Sequence, residues 1–271
     1  MLHSFEYQAP RKRSELLGLL ADHGPAARLL AGGTDLLVNV RGGSAKPRLV
    51  LDVKRVEGYG AMSWSAAEGL VIRPATTIND ILRDARIRES YPLLVACAHD
   101  LASYQIRNRA TVIGNIVNAS PCSDMAPALL CLDARAVIAS KKGEREVPLR
   151  EFFTGVKRTV LASDEILERV VVPAASAGAR GAYAKLKRIS GHDLGLVAVA
   201  VHKHDGALRL AIGSAAPTPV LVDGLQESAA VETIVAAARQ AISPISDLRC
   251  TKEYREHMVE VFVRRLLQEV K

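Results

Sequence analysis

Two glycine-bearing turns, far apart in the sequence, are the parts best equipped to hold an anion. The first is LLAGGTDLL at 29–37, where Gly32 and Gly33 follow an apolar run and Thr34 and Asp35 precede the next one. Such a turn can present several backbone N–H groups at close range. Taken alone it reads better as an ordinary strand-to-helix turn with an N-cap. The second is TVIGNIVNASPCSDMAP at 111–127, where Gly114 permits close approach and Thr111, Asn115, Asn118, Ser120 and Ser123 supply hydroxyls and amides. Pro121 at a first-turn position, with Ser120 or Ser123 as cap, suggests a helix N-terminus aimed at the loop, a place where phosphate binds. Asp124 would repel phosphate, so it suits hydrogen bonds from ribityl or ribose hydroxyls; a plain helix-start role is the alternative. Two such loops fit one ligand with two phosphates, a dinucleotide gripped at its pyrophosphate from both sides. Neither is GxGxxG, so a dinucleotide fold other than the Rossmann unit is expected.

The elements that must position these turns follow from periodicity and punctuation. SELLGLLADH at 14–23 has helical spacing with Ser14 as cap, and Gly24-Pro25 stops it before the short strand ARLLAGG. RLVLDV is a second buried strand, and GLVIRPATTINDIL reads as a strand and then a helix capped near Thr77. ARAVIAS and REVPL flank KKGE as a hairpin. Further on, LGLVAVAV and ALRLAIG are strands joined at Asp205-Gly206, followed by amphipathic helices around 229–242 and 252–269. Loop and proline punctuation in PAASAGARG places a boundary near residue 173.

Composition narrows the classes. A chain of 271 residues, 49% hydrophobic, can bury a sizeable core without staples. The net charge of +7 is spread along the chain and aromatics are only 4%, which argues against nucleic acid as a partner. Cys97, Cys122, Cys131 and Cys250 show no CxxC spacing, so neither a disulfide framework nor an iron–sulfur site is expected, and the compartment reads as reducing and cytoplasmic. Cys122 reads as a small filler in the second loop. No signal-peptide core and no membrane-length apolar run is evident. His202 and His204 share a strand face, but two ligands without a third make a solvated hairpin edge rather than a metal site.

The order LLAGGTDLL, RLVLDVKRVEG, IRNRATVIGNIVNASPCSDMAPALLCLDA, YAKLKRISGHDLGLVAVAV, spanning almost the whole chain, resembles the FAD-binding medium subunit of molybdenum hydroxylases, as in xanthine dehydrogenase and carbon monoxide dehydrogenase. The resemblance implies an α+β fold: a two-subdomain FAD-binding domain of the vanillyl-alcohol oxidase type over 1–173 (subdomains about 1–55 and 56–173), then a C-terminal α+β domain with an antiparallel sheet over 174–271. It places the first pyrophosphate loop on Leu29, Leu30, Ala31, Gly32, Gly33, Thr34, Asp35 and Leu36, and the second on Thr111, Gly114 and Asn115. It matches Asp124 to the flavin's polar chain, Leu101 and Leu167 to apolar positions near the isoalloxazine or adenine, Val117 to a flavin face, and Lys185 to a further contact. Apart from the resemblance, Leu101, Val117 and Leu167 read as core and Lys185 as surface. The loop 188–193 corresponds to the segment near the flavin edge.

The resemblance also implies what lies on other chains: molybdopterin on a large subunit and [2Fe–2S] clusters on a small one, in a dimer of heterotrimers. Electrons would pass to FAD here and on to NAD⁺, oxygen or another acceptor. At one position the sequence departs from the family, since Ile113 stands where relatives carry the first of two adjacent glycines. That departure motivates a second reading, a non-catalytic assembly subunit without tight FAD; a stand-alone flavin reductase acting on its own small substrate is a third.

Overall fold

A computed structural model describes residues 3–189, 191 and 193–271. Among the described residues three larger sheets, with a separate two-stranded ribbon, organise the chain. The first is parallel, with Leu49–Asp52 in the centre between Glu6–Gln8 and Ala27–Leu30. All four residues of Leu49–Asp52 are buried, as a central parallel strand requires. Helix Arg13–His23 covers this sheet through Leu16, Leu17 and Leu20. Its cap is Lys12 without a side-chain hydrogen bond, and Ser14, the expected cap, lies one residue inside the helix. Glu15 does the end-group work instead, accepting from the Arg11 N–H at 3.2 Å.

The second sheet is antiparallel, in the order Ser63–Ser65, Gly69–Ile72, Ile166–Val172, Arg135–Ser140, Gly143–Pro148. The expected hairpin is present, with Ser140 opposite Gly143. Helix Ile78–Arg83 starts at Thr77 with a full capping box to Asp80. Helices Pro92–Asp100, Val112–Val117 and Ala126–Cys131 bury their apolar residues in the same core as Ile72, Leu167 and Val170.

The third sheet is a four-stranded meander, Arg180–Leu186, Val197–His204, Ala207–Gly213, Val220–Gln226. Asp205 and Gly206 both take positive φ, the type I′ requirement of a two-residue hairpin. The alternation in LVAVAV sorts the two faces. Val197, Val199 and Val201 pack under helices Val231–Ala241 and Lys252–Glu269, whereas Ala200 and Ala211 join the core of the preceding domain. Small side chains on that face let the helix Ala126–Cys131 approach the sheet closely, so the two domains meet across a packed layer. Among the described residues no helix is long and apolar enough to cross a membrane.

Candidate cofactor site

The first glycine loop leaves the edge strand Ala27–Leu30 and ends at the short helix Leu36–Arg41. Residues 29–34 are half-buried and Asp35 is exposed, so the turn is open to a ligand. Gly33 sits at φ +74°, a conformation side chains resist. Lys54 steadies the loop from behind: its Nζ donates to the Ala31 carbonyl at 2.9 Å and to Asp52 Oδ1 at 2.7 Å. Asp52 Oδ2 in turn accepts from the Tyr7 hydroxyl at 2.7 Å. Burial works to raise the Asp52 carboxyl, but the hydrogen bonds from Lys54 and Tyr7 outweigh it and hold the group below the usual carboxylate range. Sequence reasoning missed this brace, because nothing in the sequence marks Tyr7 and Ala31, 45 and 23 residues away from Asp52 and Lys54, as their partners.

Gly32 packs directly on the backbone of Arg109 and Ala110, and a Cβ there would collide with the Arg109 carbonyl. The two loops therefore meet back to back. The second loop is strapped to the sheet domain by Ile78 N–H to the Ala110 carbonyl (2.9 Å) and Val112 N–H to the Thr76 carbonyl (3.2 Å). Thr111 caps helix Val112–Val117 by accepting from the Gly114 N–H at 3.0 Å. That bond occupies the Gly114 donor, and the glycine's use is space: a Cβ would sit 2.8 Å from Thr111 Oγ1. Ile113 turns its side chain into the core, with 4% exposed, and is not among the residues at positive φ. As the second residue of the helix its N–H has no intrahelical acceptor, so it is a free donor at the loop.

Asn115 is pinned rather than open. Its Oδ1 accepts from Ser123 Oγ at 2.6 Å and from the Met125 N–H at 3.1 Å. No helix begins at Pro121, even though the bond that an N-cap serine would make is present. Ser123 gives its hydroxyl to Asn115, Ser120 Oγ accepts from Cys122 N–H, and the chain stays in turns until helix Ala126–Cys131, which has Pro127 in its first turn. The phosphate-facing helix N-terminus expected there is absent; Asn118 instead links the loops, donating to Asp35 Oδ1 at 2.9 Å.

Asp124 faces Lys185, Oδ1 to Nζ 2.7 Å, across the two domains. The Lys185 side chain is 2% exposed, which corrects its surface reading, and its Nζ also reaches the Asp100 carbonyl at 3.3 Å. Burial pushes the Asp124 carboxyl up; the Lys185 ammonium pulls against this without cancelling it. Next to Lys185, Lys187 pairs with Asp100 at 2.6 Å. Leu101, just beyond helix Pro92–Asp100, is buried, and its carbonyl accepts from Arg107. Val117 is 37% exposed at the end of its helix. Leu167 is wholly buried in the sheet core, so its side chain serves packing. In the loop 188–193, Ser190 and His192 lie outside the described residues.

His202 corrects an expectation. It is buried, not a solvated edge, and among the described residues its Nε2 has no hydrogen-bond partner. Burial, then His204 and Arg209, lower its pKa to about 4. Among the described residues no cluster of three or more metal-ligating side chains occurs.

A loop pair of this form, on an α+β scaffold with an antiparallel C-terminal sheet, defines a class. Residues 3–175 match the family described as the FAD binding domain in molybdopterin dehydrogenase, and residues 181–270 match the CO dehydrogenase flavoprotein C-terminal domain. The chain belongs to the FAD-binding subunits of molybdenum hydroxylases. It is 31% identical over 277 residues to a putative xanthine dehydrogenase FAD-binding subunit of Escherichia coli, covering 97% of this chain and 94% of that one. It is 32% identical over 275 residues to the carbon monoxide dehydrogenase medium chain of Hydrogenophaga pseudoflava, covering 97% and 96%. A solved carbon monoxide dehydrogenase from that organism, lacking the Mo-pyranopterin moiety of its molybdenum cofactor, superposes with a TM-score of 0.92 at 31% identity over 100% of this chain and 98% of its counterpart. The expected family, fold class and oxidoreductase assignment are borne out.

Proposed function

We propose that this chain holds FAD between its two loops and works as the electron-transfer subunit of a molybdenum hydroxylase. The observation that carries the reading is the contact of Gly32 with Arg109, which brings two half-open turns with backbone donors to one place. The N–H groups around Ala31–Thr34 and the free N–H of Ile113 suit the pyrophosphate. Asp124 engages Lys185 through Oδ1, which leaves Oδ2 for a ligand hydroxyl, and Lys185 holds the carboxyl in place. Val117 offers apolar surface to the flavin, Leu101 backs the same region, and Leu167 supports it from beneath. Thr111, Gly114 and Asn115 shape the second loop rather than touching the ligand by side chain.

Bound FAD would supply a redox carrier, taking electrons from [2Fe–2S] clusters of a small partner subunit and passing them to NAD⁺, oxygen or another acceptor. Molybdopterin would sit on a large partner subunit, the assembly being a cytoplasmic dimer of heterotrimers. Four cysteines without cluster spacing support placing the clusters elsewhere. The assembly-subunit reading loses its motive, because the Ile113 side chain points into the core and away from the loop. Purification of the complex from its source tests the proposal. One flavin per copy of this chain and co-purifying molybdenum and iron–sulfur subunits are expected. A flavin-free complex, or a lone chain, would overturn it.

A further inference from the structure

Asn118 follows helix Val112–Val117 and faces two ways. Its Nδ2 donates to Asp35 Oδ1 at 2.9 Å, and its Oδ1 accepts from Lys157 Nζ at 2.9 Å. One amide thus ties the end of the first glycine loop to the tip of the small hairpin formed by Phe153–Gly155 and Arg158–Thr159. The amide orientation is fixed by chemistry: a carboxylate only accepts and an ammonium only donates. The backbone is committed to the same contact. Lys157 takes φ +59°, rare for a residue with a side chain, and its N–H donates to the Ala119 carbonyl at 2.9 Å. Each member of the tie also has an exposed apolar neighbour: Leu37 and Val38 after Asp35, Val117 before Asn118, Val156 before Lys157. Grouped apolar side chains at a surface mark a place that something covers.

We propose that the hairpin is a latch on the cofactor site, with Asn118 the positioning residue that carries its grip from Lys157 to Asp35 and so fixes the spacing of the two glycine loops. The inference rests on the FAD reading above. Gly32 already holds the loops together at their bases, and the Asp35–Asn118–Lys157 tie holds them at their rims. Loss of the tie lets the rims part, so FAD leaves faster while the unliganded fold, whose cores do not include these three residues, is little changed.

The test follows flavin fluorescence as the purified complex is diluted into FAD-free buffer. Asn118→Ala should release FAD about tenfold faster, equivalent to about 1.4 kcal/mol. Lys157→Arg keeps the cation and should stay within about twofold of the parent. Lys157→Glu forces the amide to turn its oxygen toward Asp35 and should match Asn118→Ala. Melting of the flavin-free protein should be the same for all four, which a merely structural role would not give. If the parent retains FAD and both Asn118→Ala and Lys157→Glu release it at the parental rate, the latch is wrong and the FAD reading stands. If the parent binds no FAD, both fall. Should Asn118→Ala misfold, the Lys157 pair at the exposed tip decides the question.

Discussion

Gly32 lies against the main chain of Arg109, so close that even a methyl group cannot be placed between them. The first loop is thereby seated on the second, and Gly32→Ala should wedge them apart. The obstacle is backbone and cannot move aside as a side chain would. We expect overpacking of about 1–3 kcal/mol and at least tenfold weaker FAD retention, about 1.4 kcal/mol. Flavin-to-protein ratio after gel filtration, beside the melting temperature, reads both; full flavin content would disprove the seating role.

The pair Asp124–Lys185 should behave as a unit. Asp124→Ala leaves a buried ammonium without its counter-charge, at a cost of about 3–5 kcal/mol. The double change Asp124→Leu with Lys185→Met should recover most of that stability while still failing to hold flavin. Asp124→Asn keeps the shape and should weaken FAD by about 1.5–3 kcal/mol, the scale of a charge-assisted hydrogen bond. Urea unfolding of the parent, Asp124→Leu, Lys185→Met and their double gives the coupling; additive single changes would show the pair to be independent.

Ile113→Gly separates core packing from ligand binding. The side chain is buried within a helix, so its loss should destabilise the chain by about 3–5 kcal/mol. Because the Ile113 backbone does not need glycine, FAD affinity measured on the folded protein should remain within about tenfold, 1.4 kcal/mol or less. A much tighter glycine variant would reveal a loop strained by isoleucine.

His202 should make the fold acid-sensitive. Burial lowers its pKa from 6.5 to about 4, so between those values the unfolded chain binds the proton first. Stability is then fully present above pH 6.5 and falls by roughly 3 kcal/mol as pH drops toward 4. His202→Leu should flatten this part of the curve. An unchanged slope from pH 7.5 to 4.5 would assign the sensitivity to other groups.

Much of this was legible from the sequence. The glycine turns, the helix cap at Thr77, the hairpin at Asp205-Gly206 and the alternation in LVAVAV are local signals, and each element formed where its pattern predicts. What escaped depends on contacts between distant segments. The orientation of Ile113 follows from the core beneath its helix, and its type alone suggested damage. No helix forms at Pro121 although Ser120 makes a cap-type bond to the Cys122 N–H, because Asn115 Oδ1 takes the Ser123 hydroxyl and the Met125 N–H and holds the chain in turns. Lys185 read as surface because the carboxylate that justifies its burial belongs to the preceding domain. His202 read as solvated because its strand end appears exposed until Pro173–Ser176 is folded across it.

The placement of Lys185 on the third sheet has a consequence for biosynthesis. Both glycine loops emerge from the ribosome early, yet strand Ile166–Val172, which completes the middle of the second sheet, follows them, and the partner of Asp124 comes later still. Non-local pairings of this kind form late and cooperatively. On the proposed reading, in which Asp124 holds flavin with Lys185 behind it, a nascent chain still lacking the third sheet would have an incomplete flavin site. Flavin uptake would then follow the folding of both domains and report that it is complete.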